Sequence, residues 1–206
     1  IFCDEQGNVY GGDKSAAVML DYILSKNAGG RVVAPINSSA LIDIIAAKWN
    51  ASVIRTKVGS VEVSRKMLED SALIGLEENG GFMYGRHMAV RDGAMSSALM
   101  LEAIASRSSR LSQLADAFPK FHQHKAKFAC NREQSSRVME KLAGSAGSMI
   151  ETLDGVKVWL NDNTWVMVRQ SGTEPVMRLY AESSDSNILQ ETVQKYTSLI
   201  NEIIKG

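Results

Sequence analysis

Between Asp13 and Leu76, short apolar runs alternate with segments whose apolar residues recur at helical spacing, and this alternation constrains the fold more than any other feature of the chain. Asp13 is a helix N-cap by residue type, and Ala16, Leu20, Ile23 and Leu24 follow on one face until residues 27–30 end the segment. Residues 31–34 read as a strand, Ser38 or Ser39 as the cap of a helix carrying Leu41, Ile44, Ile45 and Trp49, and residues 51–56 as another strand. A helix over 61–68 and a strand over 72–76 follow. Strands alternating with helices in this way predict βαβ units and a mainly parallel, mixed sheet. Residues 77–84 read as a Gly-rich loop or hairpin. Asp92 opens a long helix through Ile104, and a further helix ends near Phe118-Pro119.

After Pro119 the pattern changes. A helix over 134–143 is followed by Asp154-Gly155 and the alternating Val156, Val158 and Leu160, a hairpin signal. Asn161-Asp162-Asn163 turns into a strand over 165–168, another strand covers 176–182, and Ser186 reads as the cap of a last helix with Leu189, Val193, Tyr196, Ile200 and Ile203 in one stripe. The reading is therefore an α/β domain over 13–119 and a smaller α+β domain with an antiparallel sheet over 128–206, joined by a connector at 120–127. Residues 1–12 read as a strand and hairpin left from a preceding domain, because Ile1 enters in mid-pattern.

Composition narrows the partners. Lys plus Arg and Asp plus Glu both number 23, so the formal charge is zero and no long-range field favours nucleic acid or an anionic membrane. No apolar run approaches the length of a bilayer span, and the start has neither the basic nor the apolar region of a signal peptide. The only cysteines, Cys3 and Cys130, lack metal or redox spacing, so reduced thiols in a cytoplasmic protein are expected.

The sharpest chemical signal is Arg169-Gln170-Ser171-Gly172-Thr173-Glu174-Pro175 with Arg178 beyond it, between two predicted strands. Two guanidinium forks suit a phosphate dianion. Ser171 and Thr173 add hydroxyls, and Gly172 permits backbone N–H groups to converge as an anion nest. The plain alternative is a polar turn flanked by surface arginines.

This run resembles the phosphate-binding loop of the α-D-phosphohexomutases, whose last domain carries R-x-S-G-T-E-P followed by Arg; Gln170 stands where many members have Pro. Glu77-Glu78-Asn79-Gly80-Gly81, followed by Arg91-Asp92-Gly93-Ala94-Met95, looks like the sugar-binding loop and next helix start of the family's third domain, in the form typical of its archaeal-like phosphomannomutase/phosphoglucosamine mutase branch. Thr56-Lys57-Val58-Gly59 is a weaker match, with Ser60 where members often have His or Asp. Together the matches cover nearly the whole chain, from the end of the second domain through the fourth.

The resemblance implies a phosphohexomutase that interconverts hexose 1-phosphate and hexose 6-phosphate (mannose, glucose or glucosamine) through a phosphoserine and a bisphosphate. Arg169, Ser171, Gly172, Thr173 and Arg178 would bind the non-transferring phosphate, and Glu77 and Asn79 the sugar ring; Gly59, Ser60, His87 and Arg91 are further candidates. It also implies Mg2+ and a hexose bisphosphate as activator. The phosphoserine and magnesium loops would lie upstream, leaving no catalytic residue or metal ligand here, so the chain alone is expected to be inactive. The reading from another class is a stand-alone, non-catalytic sugar-phosphate-binding module. His122 and His124 find no acidic or thiol partners at ligand spacing and read as solvated linker residues.

Overall fold

In the computed structural model, residues 1–144, 149–172 and 174–205 are described. The chain divides into two compact units, Ile1–Pro119 and Lys120–Gly206.

The first unit opens with a hairpin of β1 (Phe2–Cys3) and β2 (Val9–Tyr10), then α1 (Gly12–Lys26), β3 (Arg31–Pro35), α2 (Leu41–Lys48), β4 (Ser52–Thr56), α3 (Ser60–Glu69), β5 (Ile74–Leu76), β6 (Phe82–Tyr84), α4 (Gly93–Arg107) and α5 (Leu111–Asp116). Its sheet runs β4-β3-β5-β6; β3 pairs in parallel with β4 and β5, and only β6 is antiparallel. The mainly parallel, mixed sheet expected from the alternation is the one observed. Helix α1 is apolar nearly all round, with Ala17, Leu20 and Leu24 wholly buried, as a helix enclosed by its neighbours must be. It packs against α2, α4, α5 and β5, while α3 covers β3, β4 and β5 around Val33, Val63 and Met67.

One expectation changes here. Asp13 does not cap α1: the helix starts at Gly12, with Gly11 as N-cap. Asp13 is instead buried, and its Oδ2 accepts a hydrogen bond from the Ser39 N–H at 3.0 Å, tying α1 to the segment before α2. Residues 1–12 form a hairpin, as expected, and pack with the first unit. Asp4 accepts hydrogen bonds from the N–H groups of Gln6 and Asn8, the Asn8 amide and the Tyr10 hydroxyl, and these hold the Asp4 carboxyl well below its ordinary value. Ser15 Oγ accepts from the Phe2 N–H, and Glu5 binds Ser112.

The second unit contains β7 (His122–Ala129), α6 (Arg132–Ala143), β8 (Met149–Glu151), β9 (Val156–Asn161), β10 (Thr164–Gln170), β11 (Val176–Ser183) and α7 (Ser186–Lys205). The sheet, ordered β7-β11-β10-β9-β8, is antiparallel throughout. One face packs on α6 and α7 through Val156, Val158, Val166, Val168, Met177 and Leu179 with Val138, Leu142, Tyr196 and Ile200. Strand alternation turns Lys157, Trp165, Met167, Arg169, Arg178 and Glu182 to the other face. There the Lys157 ammonium lies 4.5 and 4.2 Å from the ring centres of Trp159 and Trp165, and the Trp165 indole donates to Glu182.

The connector read at 120–127 is instead most of β7, paired with β11 along its whole length. Its side chains are largely exposed and mostly polar, and that polarity hid a strand whose backbone is fully committed on one side. The cap of α7 is Asp185, whose Oδ1 accepts from the N–H groups of Asn187 and Ile188; Ser186 is the first helical residue. Asp92 does cap α4, accepting from the Met95 N–H at 2.9 Å.

Candidate functional site

In the first unit, the loops following β3, β4 and β5 leave the same, carboxyl-terminal edge of the parallel strands, where open α/β sheets place their ligands. The loop after β4 carries Gly59 and Ser60. Gly59 adopts φ 143° as the N-cap of α3, in the range that favours glycine, and Ser60 begins that helix. The loop after β3 carries Asn37 and Ser38, which the sequence reading gave no binding role. Both are buried, and neither the Asn37 amide nor the Ser38 hydroxyl has a hydrogen-bond partner among the described residues. Only burial singles them out; their types fit any turn.

The loop after β5 is the Glu77–Gly81 turn of the β5–β6 hairpin. Its backbone is closed by the Glu77 N–H donating to Gly81 O at 2.8 Å and the Gly80 N–H to Glu77 O at 3.0 Å. Asn79 is exposed, and its Oδ1 accepts from the Gly81 N–H at 3.1 Å. The Glu77 carboxylate is 5% exposed, and its Oε2 has no hydrogen bond. Burial pushes the Glu77 carboxyl above its ordinary value, Arg91 opposes that rise, and Glu78 adds to it. Arg91 Nη1 lies 3.6 Å from Glu77 Oε2. His87 turns to another partner: its Nε2 is 3.0 Å from Asp92 Oδ2, within hydrogen-bonding distance. The Met95 N–H and His87 hold the Asp92 carboxyl below its ordinary value. The structure therefore brings Arg91 to Glu77 but ties His87 to the cap of α4.

In the second unit Arg169 and Arg178 are direct cross-strand partners on β10 and β11, and Lys127 stands opposite Arg178 on β7. All three cations occupy one face at the end of the strands beside the loop. Like charges directly opposite one another destabilise a sheet. Two carboxylates offset them: Arg169 Nε lies 3.1 Å from Asp154 Oδ2, off the hydrogen-bond direction, and Arg178 Nη2 lies 3.1 Å from Glu174 Oε2, with Lys127 Nζ at 3.8 Å from the same oxygen. Ser171 is nearly buried; its N–H donates to Val176 O, and its Oγ accepts from the Glu174 N–H at 3.2 Å. Gly172 is exposed at the tip, and Thr173 lies outside the described residues. A cavity of about 460 Å³ beside the loop is lined by Arg132, Gln170, Ser171, Gly172 and Glu174, so a further cation, Arg132 at the start of α6, also faces the loop. Lys127 and Arg132 were invisible as site residues because strand register and helix docking, not sequence spacing, bring them there. No group of three or more His, Cys, Asp or Glu suited to a metal occurs among the described residues, and none of their helices is long and apolar enough to cross a membrane.

Residues 11–121 match the domain described as phosphoglucomutase/phosphomannomutase, alpha/beta/alpha domain III, and residues 126–197 match the C-terminal domain of the same family. The chain belongs to the phosphoglucomutase/phosphomannomutase family. A phosphoglucomutase/phosphomannomutase of Thermococcus kodakarensis is 38% identical over all of this chain and 45% of its own length. A phosphoglucosamine/phosphogalactosamine mutase of Sulfurisphaera tokodaii is 38% identical over 97% of this chain and 45% of its own. The chain thus spans rather less than half of these family members. Among solved structures, a family protein from Burkholderia thailandensis superposes with a TM-score of 0.80 at 19% identity, covering 97% of this chain and 43% of that one. The N-acetylphosphoglucosamine mutase of Aspergillus fumigatus, solved with GlcNAc-6P and magnesium, gives 0.70 at 14% identity over 98% and 46%. These two likenesses concern the fold.

Proposed function

We propose that the full-length protein is a phosphohexomutase that interconverts hexose 1-phosphates and hexose 6-phosphates through a phosphoserine and a bisphosphate intermediate. In this reading the Arg169–Arg178 loop, with Ser171, Gly172 and Thr173, binds the phosphate that is not being transferred, and Glu77 and Asn79 read the sugar ring. The observation that carries it is the pairing of Arg169 with Arg178 on adjacent strands. A sheet that sets cations opposite each other next to a Gly-containing turn bears an electrostatic cost that a dianion relieves. Glu77 supports the other half, since it presents a buried oxygen with acceptor capacity and no hydrogen bond.

The chemistry asks for such a division of labour. A hexose bisphosphate must present first one phosphate and then the other to the same serine, so the sugar binds in two orientations. A fixed dianion clamp and a loop that reads ring hydroxyls accept both, and their contribution is positioning and charge stabilisation. Within the clamp, the Arg178 guanidinium exchanges Glu174 for the phosphate, while Ser171 keeps the turn closed through its bond from the Glu174 N–H. Magnesium, which in this family would assist the serine chemistry, finds no fitting donor set among the described residues, so no step here runs through it. The names of the relatives favour glucose, mannose or glucosamine phosphates as substrates.

A coupled assay of the full-length protein with glucose, mannose and glucosamine 1-phosphates, each with and without the bisphosphate and magnesium, tests the proposal. Primed, magnesium-dependent turnover of at least one is expected. Absence of turnover with all three, from folded protein, overturns it.

A further inference from the structure

We infer that Arg91 is the positioning residue of the ring-reading loop: its stem crosses Gly81 to set the orientation and charge of the Glu77 carboxylate. The inference rests on Glu77 reading a sugar hydroxyl. Three features of the geometry point to it. First, a Cβ at Gly81 would lie 2.6 Å from Arg91 Cδ, 3.1 Å from Arg91 Cγ and 2.5 Å from Glu77 Oε2. The Arg91 stem and the carboxylate therefore share the space that any other residue 81 would fill. Second, Arg91 Nη1 sits 3.6 Å from Glu77 Oε2, too far for a hydrogen bond but close enough for strong attraction. The cation supplies charge without consuming the acceptor, and Oε2 keeps its capacity for a ligand hydroxyl. Third, Arg91 lines a cavity of about 220 Å³ with Gly80, Gly81, Asp92, Ser96 and Ser97, so the Arg91 end of the pair stands beside open space.

The need for such a residue follows from burial. A carboxylate with its head withdrawn from water takes up a proton more readily, and a protonated Glu77 offers one acceptor fewer. The charged groups acting on it are Arg91 from the segment leading into α4 and Glu78 in the loop itself. Only Arg91 favours the ionised form. Removing it raises the Glu77 pKa further above the ordinary value. Binding competence belongs to the ionised form, is present above that pKa, and is lost as pH falls through it. A variant without Arg91 therefore loses affinity at a higher pH than the wild type.

The test is calorimetry on the full-length protein with a hexose 6-phosphate and with inorganic phosphate between about pH 5.5 and 8. The ratio of the two affinities at each pH removes most of the ligand's own titration near pH 6. Arg91→Gln is expected to lower that ratio about three- to tenfold at neutral pH and more at acid pH, Arg91→Lys to restore most of it, and both to leave inorganic phosphate unaffected. Gly81→Ala, which displaces the pair without altering a charge, should also lower the ratio. In a Glu77→Gln background, Arg91→Gln should add almost nothing. An equal loss in that background, or a loss with no dependence on pH, overturns the inference by making Arg91 a direct contact or a mere packing residue. If Glu77→Gln itself leaves the ratio unchanged, the reading of Glu77 as the ring contact fails instead.

Discussion

Replacing Gly12 by Ala probes a contact between elements far apart in sequence. A Cβ there would lie 2.2 Å from Gly80 N, 2.3 Å from Glu78 O and 2.8 Å from Asn79 C, so the first turn of α1 rests on the bare backbone of the Glu77–Gly81 loop, proposed to read the sugar ring. Ordinary contact needs about 3.5 Å, and the loop or the helix start must therefore retreat by roughly 1 Å. Overpacking costs about 1–3 kcal/mol, and the upper end applies here because the atoms met are backbone. The better helix propensity of Ala returns up to about 1 kcal/mol. The expected net destabilisation is about 2 kcal/mol, read as a lower denaturation midpoint with an unchanged slope in urea. Displacement of the loop should also weaken hexose phosphate binding by about tenfold, since groups misplaced by about 1 Å lose much of their effect. Inorganic phosphate affinity should not change, because the Arg169 loop belongs to the other unit. Stability within about 0.5 kcal/mol of wild type together with unchanged hexose phosphate affinity would refute the contact as described.

Other outcomes follow from the same structure. Arg169→Ala in the full-length protein should weaken sugar-phosphate binding by about 1.5–3 kcal/mol, measured by calorimetry, the range for hydrogen bonds to charged groups. On the proposed mechanism the phosphoserine is not among these 206 residues, so alone they should give no turnover above a blank in a coupled mutase assay. Asp21 is 1% exposed and holds Lys48, the Trp49 indole and Arg107, so Asp21→Asn should cost about 2–4 kcal/mol near pH 7 by chemical denaturation. Burial raises the Asp21 pKa, but these partners together bring it below 3.8, so the stabilisation is present above that pH and the deficit of the variant should shrink as pH falls through the folded value.

What the sequence disclosed and what it withheld divide along physical lines. The two proposed binding loops were legible because each is contiguous: Glu77–Gly81 and Arg169–Pro175 each carry their polar groups within one turn. The parallel sheet was legible because its inner strands β3 and β5 are mainly apolar on both faces and its helices keep a clear period. Strand β7 was not, since an edge strand carrying His122, His124, Lys125 and Lys127 looks like a solvated linker until its pairing with β11 is seen. The cation row suffered the same fate: Lys127, Arg178 and Arg169 become neighbours only through register. Two caps were misplaced: Asp185, not Ser186, caps α7, and Gly11, not Asp13, precedes α1. Gly12 and Gly81 looked like ordinary turn residues, although each is required by an atom far along the chain or in another segment.

The division of labour between the two loops is tested most directly by titrating three forms of the full-length protein, wild type, Glu77→Gln and Arg178→Ala, with inorganic phosphate and with a hexose 6-phosphate. Glu77 offers only acceptors, which cannot favour a phosphate dianion, whereas Arg178 offers donors to any phosphate. Glu77→Gln should therefore weaken the hexose phosphate and leave phosphate unchanged, and Arg178→Ala should weaken both by about tenfold or more. Equal loss of both ligands in Glu77→Gln, or no loss of either in Arg178→Ala, would contradict the account.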